Sequence, residues 1–277
     1  MCIAYTSDGS RIATGTYNKI TMWDAVSARR LMVFEHSEPT SVTFLLNDTH
    51  LASGCTSNTI ALWDVISGAP IRTYEGHTMS VGCLSVSSKA SRTFVSGATD
   101  GTIRIWDVTS PDCVLMMRCH DSPVFSVAVL PDGSRILSGS QDGVVRLWDS
   151  SIGTELRQLG FHTAAVRSLT VNDSDDLLFA SASEDGNIKI YNLSREVEVV
   201  AHNLECEVRT IAFSSDGKVL AYGGPGAQNM SLWNYSTGQI SAMYRHQGIA
   251  QVAFSPQKTR LASGKVIIQQ VTIAIEL

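Results

Sequence analysis

Three sets of histidine, serine and aspartate recur along the chain, and these residue types together could perform nucleophilic catalysis. The sets are His77 with Ser96 and Asp100, His120 with Ser138 and Asp142, and His162 with Ser181 and Asp185. In a hydrolase, the serine would attack the substrate, the histidine would take its proton and the aspartate would orient the histidine. An active site is normally singular, whereas this combination is present three times. The repetition therefore favours a structural role in a repeated element over catalysis.

A recurring aromatic-acid pair marks these elements. The pair is Trp-Asp or a close variant of it, and it begins at Trp23, Trp63, Trp106, Trp148, Tyr191 and Trp233. Successive pairs lie 40 to 43 residues apart. A period of about 40–45 residues with this dipeptide is typical of propeller blades, each of which is a four-stranded sheet. The chain resembles the WD40-repeat family over essentially its whole length, and the resemblance implies an all-β fold.

The third repeat shows the strand pattern most completely. Its predicted strands cover residues 81–87, 92–98, 102–106 and 114–118. The pair Asp100-Gly101 predicts a tight hairpin between the second and third of these strands, because glycine adopts the positive φ that such turns need. Apolar residues lie on both faces of the strands, as expected for a sheet packed between two others. There is no linker and no low-complexity segment, so residues 1–277 are predicted to form one domain.

The repeats predict a seven-bladed WD40-type β-propeller whose last blade is incomplete. The predicted blades cover residues 1–36, 37–77, 78–120, 121–162, 163–202, 203–246 and 247–277. Tyr5 aligns with the aromatic residue of other innermost strands, which places Met1 inside the first strand of the first blade. Residues 272–277 match residues 102–107 without the Trp-Asp pair, so the outermost strand of the seventh blade is expected to be missing. The segment 266–275 would then be an exposed β-rich edge, and such edges invite pairing with another chain.

The family resemblance gives the recurring polar residues a structural role. In WD40 repeats the equivalent residues form a buried Asp–His–Ser–Trp hydrogen-bond network, which makes a blade rigid when it is complete. The resemblance implies three such networks: His77, Ser96, Asp100 and Trp106; His120, Ser138, Asp142 and Trp148; and His162, Ser181, Asp185 and Tyr191. In the last network, Tyr191 is expected to take the place of tryptophan. The second repeat has Ser57 in the aspartate position, so blades 3 to 5 are predicted to be the stable centre.

Composition narrows the range of functions. The chain has 277 residues and a net charge of −5 without long runs of one sign, which disfavours nucleic acid or an acidic membrane as the main partner. No stretch of about 20 apolar residues could span a bilayer, and the first residues lack the pattern of a signal peptide. The six cysteines show neither a C-x-x-C pair nor zinc-site spacing, so they are expected to be reduced. A cytoplasmic or nuclear protein without a metal or other cofactor is predicted.

Partner-binding residues are expected where loops enter the innermost strands, because surface loops are free to carry function. At this position the fourth, fifth and sixth repeats have Phe125, Arg167 and Arg209, and a neighbouring loop position has Gln141 and Glu184. An aromatic residue beside arginines is typical of interface hot spots. Arginine also pairs with carboxylates and phosphates, so acidic or phosphorylated peptides are predicted ligands. The alternative is that both arginines are solvated rim residues whose stems cover apolar surface.

The predicted function is a non-catalytic protein–protein interaction scaffold that presents partner-binding loops on a propeller face within a multiprotein complex. One alternative is the sensor domain of a larger signalling NTPase, which the repeats with Asp-Gly turns resemble. Another is the substrate receptor of a ubiquitin ligase, but the arginine that such receptors often carry two residues after the Trp-Asp pair is absent here. An enzymatic propeller would need a single polar cluster at the channel mouth, where the sequence offers only Arg167, Arg209 and Glu184.

Overall fold

The fold is built from antiparallel strands joined by short turns. A computed structural model describes residues 1–87, 92–172, 174–195, 197–204, 206–225, 229–245, 249–256, 260–265 and 271–276. These residues contain 27 strands and no helix. Each strand pairs with its neighbours in chain order, so the strands divide into successive sheets, numbered here 1 to 7 from the N-terminus.

The first four sheets have four strands each. Sheet 1 consists of β1 (Cys2–Tyr5), β2 (Arg11–Thr16), β3 (Lys19–Asp24) and β4 (Arg30–Glu35). Sheet 2 consists of β5 (Pro39–Leu45), β6 (His50–Cys55), β7 (Ile60–Asp64) and β8 (Pro70–Tyr74). Sheet 3 consists of β9 (Val81–Ser85), β10 (Thr93–Ala98), β11 (Thr102–Asp107) and β12 (Cys113–Arg118). Sheet 4 consists of β13 (Val124–Val129), β14 (Arg135–Ser140), β15 (Val144–Asp149) and β16 (Glu155–Phe161).

The remaining sheets continue the pattern, and the last has three strands. Sheet 5 consists of β17 (Val166–Asn172), β18 (Asp175–Ser183), β19 (Asn187–Asn192) and β20 (Val197–Asn203). Sheet 6 consists of β21 (Thr210–Phe213), β22 (Val219–Gly223), β23 (Asn229–Asn234) and β24 (Gln239–Arg245). Sheet 7 consists of β25 (Ile249–Phe254), β26 (Arg260–Lys265) and β27 (Val271–Glu276).

The strands of the third repeat agree with the predicted ones to within two residues at each end. The hairpin predicted at Asp100-Gly101 is also present, and Gly101 has a φ of 79°. The blade count differs. Six sheets are complete four-stranded blades, so the predicted count of seven is one higher than the number of complete blades. Residues 266–270 of the predicted exposed edge lie outside the described residues.

Sheet 7 packs against sheet 1. The backbone N–H of Ile3 in β1 donates a 2.6 Å hydrogen bond to Oε1 of Gln251 in β25. Ile3 and Ile12 are buried in one apolar cluster with Ala262 of β26. The first and last sheets are therefore neighbours, so the two ends of the series of sheets are in contact.

Apolar cores lie between successive sheets. Between sheets 2 and 3, Tyr74, Phe94 and Trp106 are almost completely buried. The ring of Tyr74 lies 5.1 Å from that of Phe94 and 5.4 Å from that of Trp106, measured between centroids. Each such side chain contributes about 1.5–3 kcal/mol through its removal from water. The strands show apolar residues on both faces because both faces of a sheet are covered in this way.

Glycine allows the innermost strands to approach closely. A Cβ at Gly97 of β10 would lie 2.8 Å from Cys83 Sγ and 2.8 Å from a methyl group of Val124, in the innermost strand of the next sheet. A Cβ at the equivalent Gly54 or Gly139 would likewise come too close to a valine of the next sheet. A recurring glycine in the second strand thus fixes the spacing between neighbouring blades.

Candidate functional site

In sheet 3 the recurring polar residues form one buried hydrogen-bond chain. Ser96 Oγ lies 2.7 Å from His77 Nε2 and accepts a 2.8 Å hydrogen bond from the indole Nε1 of Trp106. His77 Nδ1 lies 3.2 Å from a carboxylate oxygen of Asp100, which also accepts a bond from the backbone N–H of Thr78. This series of hydrogen bonds links the end of the outer strand of sheet 2 to the β10–β11 hairpin and to the strand that carries Trp106.

Sheet 4 repeats this arrangement. Ser138 Oγ lies 2.8 Å from His120 Nε2 and accepts a 2.9 Å bond from Trp148 Nε1. His120 Nδ1 lies 2.9 Å from Asp142, and Arg146 donates a further 2.8 Å bond to the same carboxylate. The structure therefore brings together all four predicted residues in sheet 4, as it does in sheet 3.

Sheet 5 brings together three of the four residues, and the prediction for Tyr191 is wrong. His162 lies 2.8 Å from Ser181 Oγ and 3.1 Å from Asp185. The hydroxyl group of Tyr191 donates instead to Glu198 at 3.3 Å, outside the network. A phenol carries its donor at the far end of the ring, and this hydroxyl lies against Gly160 of the neighbouring outer strand, away from Ser181.

The first two sheets keep part of the network. The indole of Trp23 donates to Thr14 at 2.8 Å, and that of Trp63 donates to Ser53 at 2.9 Å. Sheet 2 has Ser57 where the later sheets have aspartate, and the Ser57 hydroxyl lies 2.9 Å from Cys55 Sγ. The pattern of recurring serines did not identify Thr14 as a network residue, although a threonine hydroxyl accepts a hydrogen bond as a serine hydroxyl does.

The protonation states follow from burial and hydrogen bonding. Burial lowers the pKa of His77, His120 and His162, although the paired aspartates act in the opposite direction. Burial would raise the pKa of the aspartates, but the hydrogen bonds they accept outweigh it and lower the pKa of Asp142 to about 2. Near neutral pH the histidines are therefore neutral and the aspartates ionised. A carboxylate only accepts hydrogen bonds, so the proton of His77 and that of His162 lie on Nδ1.

Burial also determines what these networks can do chemically. Ser96, Ser138 and Ser181 have no solvent exposure, so a substrate carbonyl has no access to their hydroxyl groups. In sheets 3 and 4 the serine oxygen is also occupied by the tryptophan N–H. These geometries fit a structural network rather than three nucleophiles.

A second polar cluster lies where the innermost strands of sheets 4 to 6 begin. The guanidinium carbon of Arg167 lies 3.9 Å from the centroid of the Phe125 ring. Arg167 Nε also donates a 2.7 Å hydrogen bond to Glu184 Oε1. Arg209 contacts the same oxygen at 3.4 Å and donates to Glu207 at 3.1 Å. The name Phe125 array is used below for these five residues.

The array contains four of the five residues predicted for partner binding. The fifth, Gln141, is exposed, and its backbone N–H donates to the carbonyl of Pro123 in the same sheet. Among the described residues, no side-chain hydrogen bond or ion pair joins Gln141 to the array. Glu207 was not among the predicted residues; the equivalent position of the second repeat also holds a glutamate, Glu38, whereas the third, fourth and fifth repeats have Ser80, Pro123 and Ala165 there.

The charges of the array balance. Two arginines face two glutamates, and the side chain of Arg209 is 44% exposed whereas that of Arg167 is 29% exposed. An anionic ligand would therefore have to replace Glu184 on the two guanidinium groups. Next to the array, a cavity of about 600 Å³ is lined by Glu184, Glu207, Leu204 and Pro225, among others.

Metal-binding clusters and membrane-spanning helices are both absent from the residues that the structure describes. No cluster of three or more histidine, cysteine, aspartate or glutamate side chains with metal-binding geometry occurs there. No helix there has the length and apolar character needed to cross a membrane.

Comparison with known proteins identifies the family. The model of the WD domain, G-beta repeat family matches residues 29–64, 68–107, 111–149 and 153–192, which together exceed half of the chain. Each matched segment ends at the second residue of an aromatic-acid pair. The chain belongs to the WD-repeat family, and its sheets are blades of a β-propeller.

Two curated relatives and one solved structure each match most of this chain. Protein FIZZY-RELATED 1 of Arabidopsis thaliana is 25% identical over 261 residues, which cover 91% of this chain and 54% of that protein. The U3 small nucleolar RNA-associated protein 15 homolog of Xenopus tropicalis is 28% identical over 225 residues, or 80% of this chain and 43% of that protein. The chain thus spans about half the length of these relatives. A chain in the crystal structure of a mitotic checkpoint complex has a TM-score of 0.87, at 23% identity, over 95% of this chain and 86% of its own length.

Proposed function

We propose that this chain is a non-catalytic interaction module that holds partner proteins or peptides within a multiprotein assembly. The observation that carries the proposal is the Phe125 array, which presents an aromatic ring and two arginines at the entry of three neighbouring innermost strands. The comparisons support it: one similar structure is that of a checkpoint complex, and one relative is named for its association with U3 small nucleolar RNA. A cytoplasmic or nuclear location is part of this proposal.

The mechanism is rigid display. The Arg167 side chain is held on one side by the Phe125 ring and on the other by Glu184, so little rotamer entropy is lost when a partner binds. Aromatic and arginine anchors in a preorganised surface commonly provide most of the binding energy of an interface. Affinity would therefore come from a few side chains rather than from a large buried area.

The partner segment is acidic or phosphorylated. Its carboxylate or phosphate would take the place of the Glu184 side chain between Arg167 and Arg209, since guanidinium groups form paired hydrogen bonds with both anions. Displaced from the arginines, Glu184 would turn towards the adjacent cavity that it already lines. Gln141, exposed on sheet 4, would add a polar contact at the rim of the same face.

A closed ring keeps this face rigid. Residues 1–277 act as one domain, with sheet 7 as the seventh and incomplete blade. The hydrogen bond from Ile3 to Gln251 and the shared apolar cluster support this arrangement, because they join the two ends of the series of sheets. The complete networks of sheets 3 and 4 stabilise the centre of the chain.

The test is affinity capture from native lysate followed by mass spectrometry. The wild-type chain is compared with a triple variant, Phe125→Ala, Arg167→Ala and Arg209→Ala. A matched control carries Val26→Ala, Arg29→Ala and Arg195→Ala, which are exposed in turns at the opposite ends of the strands. The proposal predicts partners that the wild type and the control retain and the triple variant loses. Identical partners for all three proteins, with equal thermal unfolding, would reject the assigned face.

A further inference from the structure

Basic residues of the third strands in sheets 4 and 5 are paired with acids of the outermost strand. Arg146 Nε lies 3.3 Å from Glu155 Oε2, and Lys189 Nζ lies 3.1 Å from Glu198 Oε2. Both glutamates occupy the same place in the fold, opposite the aromatic residue of the aromatic-acid pair. The pairing therefore belongs to the repeat rather than to one blade.

Sheet 3 has the base but not the acid. Arg104 is the equivalent base, but Cys113 occupies the acid position, opposite Trp106. No ion pair joins Arg104 to a carboxylate within the ranges that the structure describes. Its Nε is buried without a hydrogen-bond partner, and its guanidinium carbon lies 5.9 Å from the centroid of the Trp106 ring. Arg104 is half-buried, and a buried Nε–H without an acceptor is unfavourable, so an external carboxylate would stabilise this side chain.

The outermost strand beside Arg104 is apolar and open. Val114 is 60% exposed and Met116 is 45% exposed, and Met116 lies directly opposite Arg104. Arg118 at the end of β12 is exposed and, within the described residues, forms no ion pair. β12 is the edge strand of sheet 3, so only one of its two sides is paired. The name β12 surface is used below for Arg104, Val114, Met116 and Arg118.

The side chains of the β12 surface point away from sheet 4. Leu115 and Met117 take the other face of the strand, where a Cβ at Gly153 of sheet 4 would meet both of them. Alternation along a strand then places Val114, Met116 and Arg118 on the opposite face. Two apolar side chains thus lie beside two guanidinium groups that have no carboxylate partner among the described residues. This arrangement is complementary to a segment whose acidic and apolar side chains alternate.

We propose that the β12 surface binds an extended acidic segment of a partner protein, whose carboxylates supply the anion that Arg104 lacks. The choice of ligand rests on charge complementarity. The two arginines without carboxylate partners would pair with acidic side chains, and the exposed Val114 and Met116 would contact apolar side chains between those acids. An extended segment has the required spacing, because its alternate residues share one face. It can also pair with the open edge of β12 through its backbone. This surface is separate from the Phe125 array, so the two proposals succeed or fail independently.

The first test uses a fluorescein-labelled heptapeptide of alternating valine and glutamate, and an analogue in which glutamine replaces each glutamate. Anisotropy titration of the wild-type chain should show binding of the glutamate peptide and at least about tenfold weaker binding of the analogue, as expected when charge-assisted hydrogen bonds are lost. Arg104→Gln should weaken binding of the glutamate peptide to a similar degree. Arg146→Gln is the matched control, because its guanidinium is already paired within the chain, and it should leave the affinity unchanged.

A second variant tests the same surface without removing Arg104. Cys113→Glu places a carboxylate where sheets 4 and 5 carry theirs, so it should pair with Arg104, raise the urea midpoint of unfolding and weaken peptide binding about tenfold. Failure of the glutamate peptide to bind, equal affinity for both peptides, or undiminished binding to Cys113→Glu would each overturn the proposal. The Phe125, Arg167 and Arg209 triple variant should bind the peptide as the wild type does.

Discussion

The guanidinium carbon of Arg167 lies 3.9 Å from the centroid of the Phe125 ring, and this contact joins the innermost strand of sheet 5 to that of sheet 4. The face of an aromatic ring attracts a cation, and the attraction grows when both groups lose water. Glu184 holds the other side of the same guanidinium at 2.7 Å. A side chain fixed between a ring and a carboxylate is preorganised, which distinguishes it from a freely moving rim arginine.

The coupling between these two residues can be measured. In a double-mutant cycle of Phe125→Ala and Arg167→Ala, we expect a coupling free energy of about 0.5–2 kcal/mol in urea unfolding, because the cation–π contact exists only when both are present. The matched cycle of Phe125→Ala with Arg209→Ala should be additive, since the recorded contacts of Arg209 are with Glu184 and Glu207. Additive effects in the first cycle would contradict a stabilising contact.

Periodicity explains what could be predicted of the fold. Residues such as Trp106, Ser96 and Gly101 have counterparts at the same spacing in several other blades, and this spacing placed the strands of sheet 3 to within two residues. The complete networks of sheets 3 and 4 share this origin. The end of the chain is different, because it has no Trp-Asp pair: the sequence predicted seven blades with the last one incomplete, and six sheets are complete four-stranded blades.

Pairings that do not repeat could not be predicted. The partner of the Tyr191 hydroxyl depends on the direction of one ring, which sets it beside Glu198 instead of Ser181. The balance of charge in the Phe125 array depends on which carboxylate oxygens reach Arg167 and Arg209. Such contacts follow from side-chain rotamers in three dimensions, about which a repeat of residue types carries no information.

The different roles of Trp148 and Tyr191 lead to a stability prediction. Trp148→Phe removes the donor to the buried Ser138 hydroxyl and should reduce the free energy of unfolding by about 1–3 kcal/mol. Tyr191→Phe removes only a 3.3 Å bond to a part-exposed glutamate and should cost less than about 1 kcal/mol. Urea denaturation of the two variants provides the comparison. Equal losses would mean that Tyr191 takes part in the network after all.

The buried histidines make stability depend on pH. Their folded-state pKa is lowered from the ordinary 6.5, so protonation favours the unfolded chain. Their contribution to stability is therefore fully present above about pH 6.5 and is lost as the pH falls towards the folded-state pKa. The pKa of the aspartates is also lowered, and their contribution is lost only at more acidic pH, below the ordinary value of 3.8. The urea concentration at the midpoint of unfolding should therefore decrease as the pH is lowered from about 7.5 to about 5.

Substitution of a network histidine tests whether the network histidines cause this pH dependence of stability. His120→Gln removes one titrating network group and should make the pH dependence shallower, at the cost of lower stability at neutral pH. Gly97→Ala, which removes no titrating group, is the control and should keep the wild-type slope. A slope that is the same for His120→Gln and the wild type would show that protonation elsewhere governs acid unfolding.

Close packing at Gly97 gives the most direct test of how the blades are spaced. A methyl group there would approach Cys83 Sγ and a methyl group of Val124 to 2.8 Å, so Gly97→Ala must separate sheets 3 and 4 or distort β10. We expect a loss of about 1–3 kcal/mol in the free energy of unfolding, the usual effect of overpacking. Gly82→Ala is the matched control, because its nearest neighbour would be the Val124 carbonyl oxygen at 3.4 Å, an ordinary contact. Gly82→Ala should be neutral or slightly stabilising, since alanine restricts the unfolded chain. Equal stability of the two variants would show that the interface between blades relaxes around an added methyl group, and that the recurring glycine does not fix their separation.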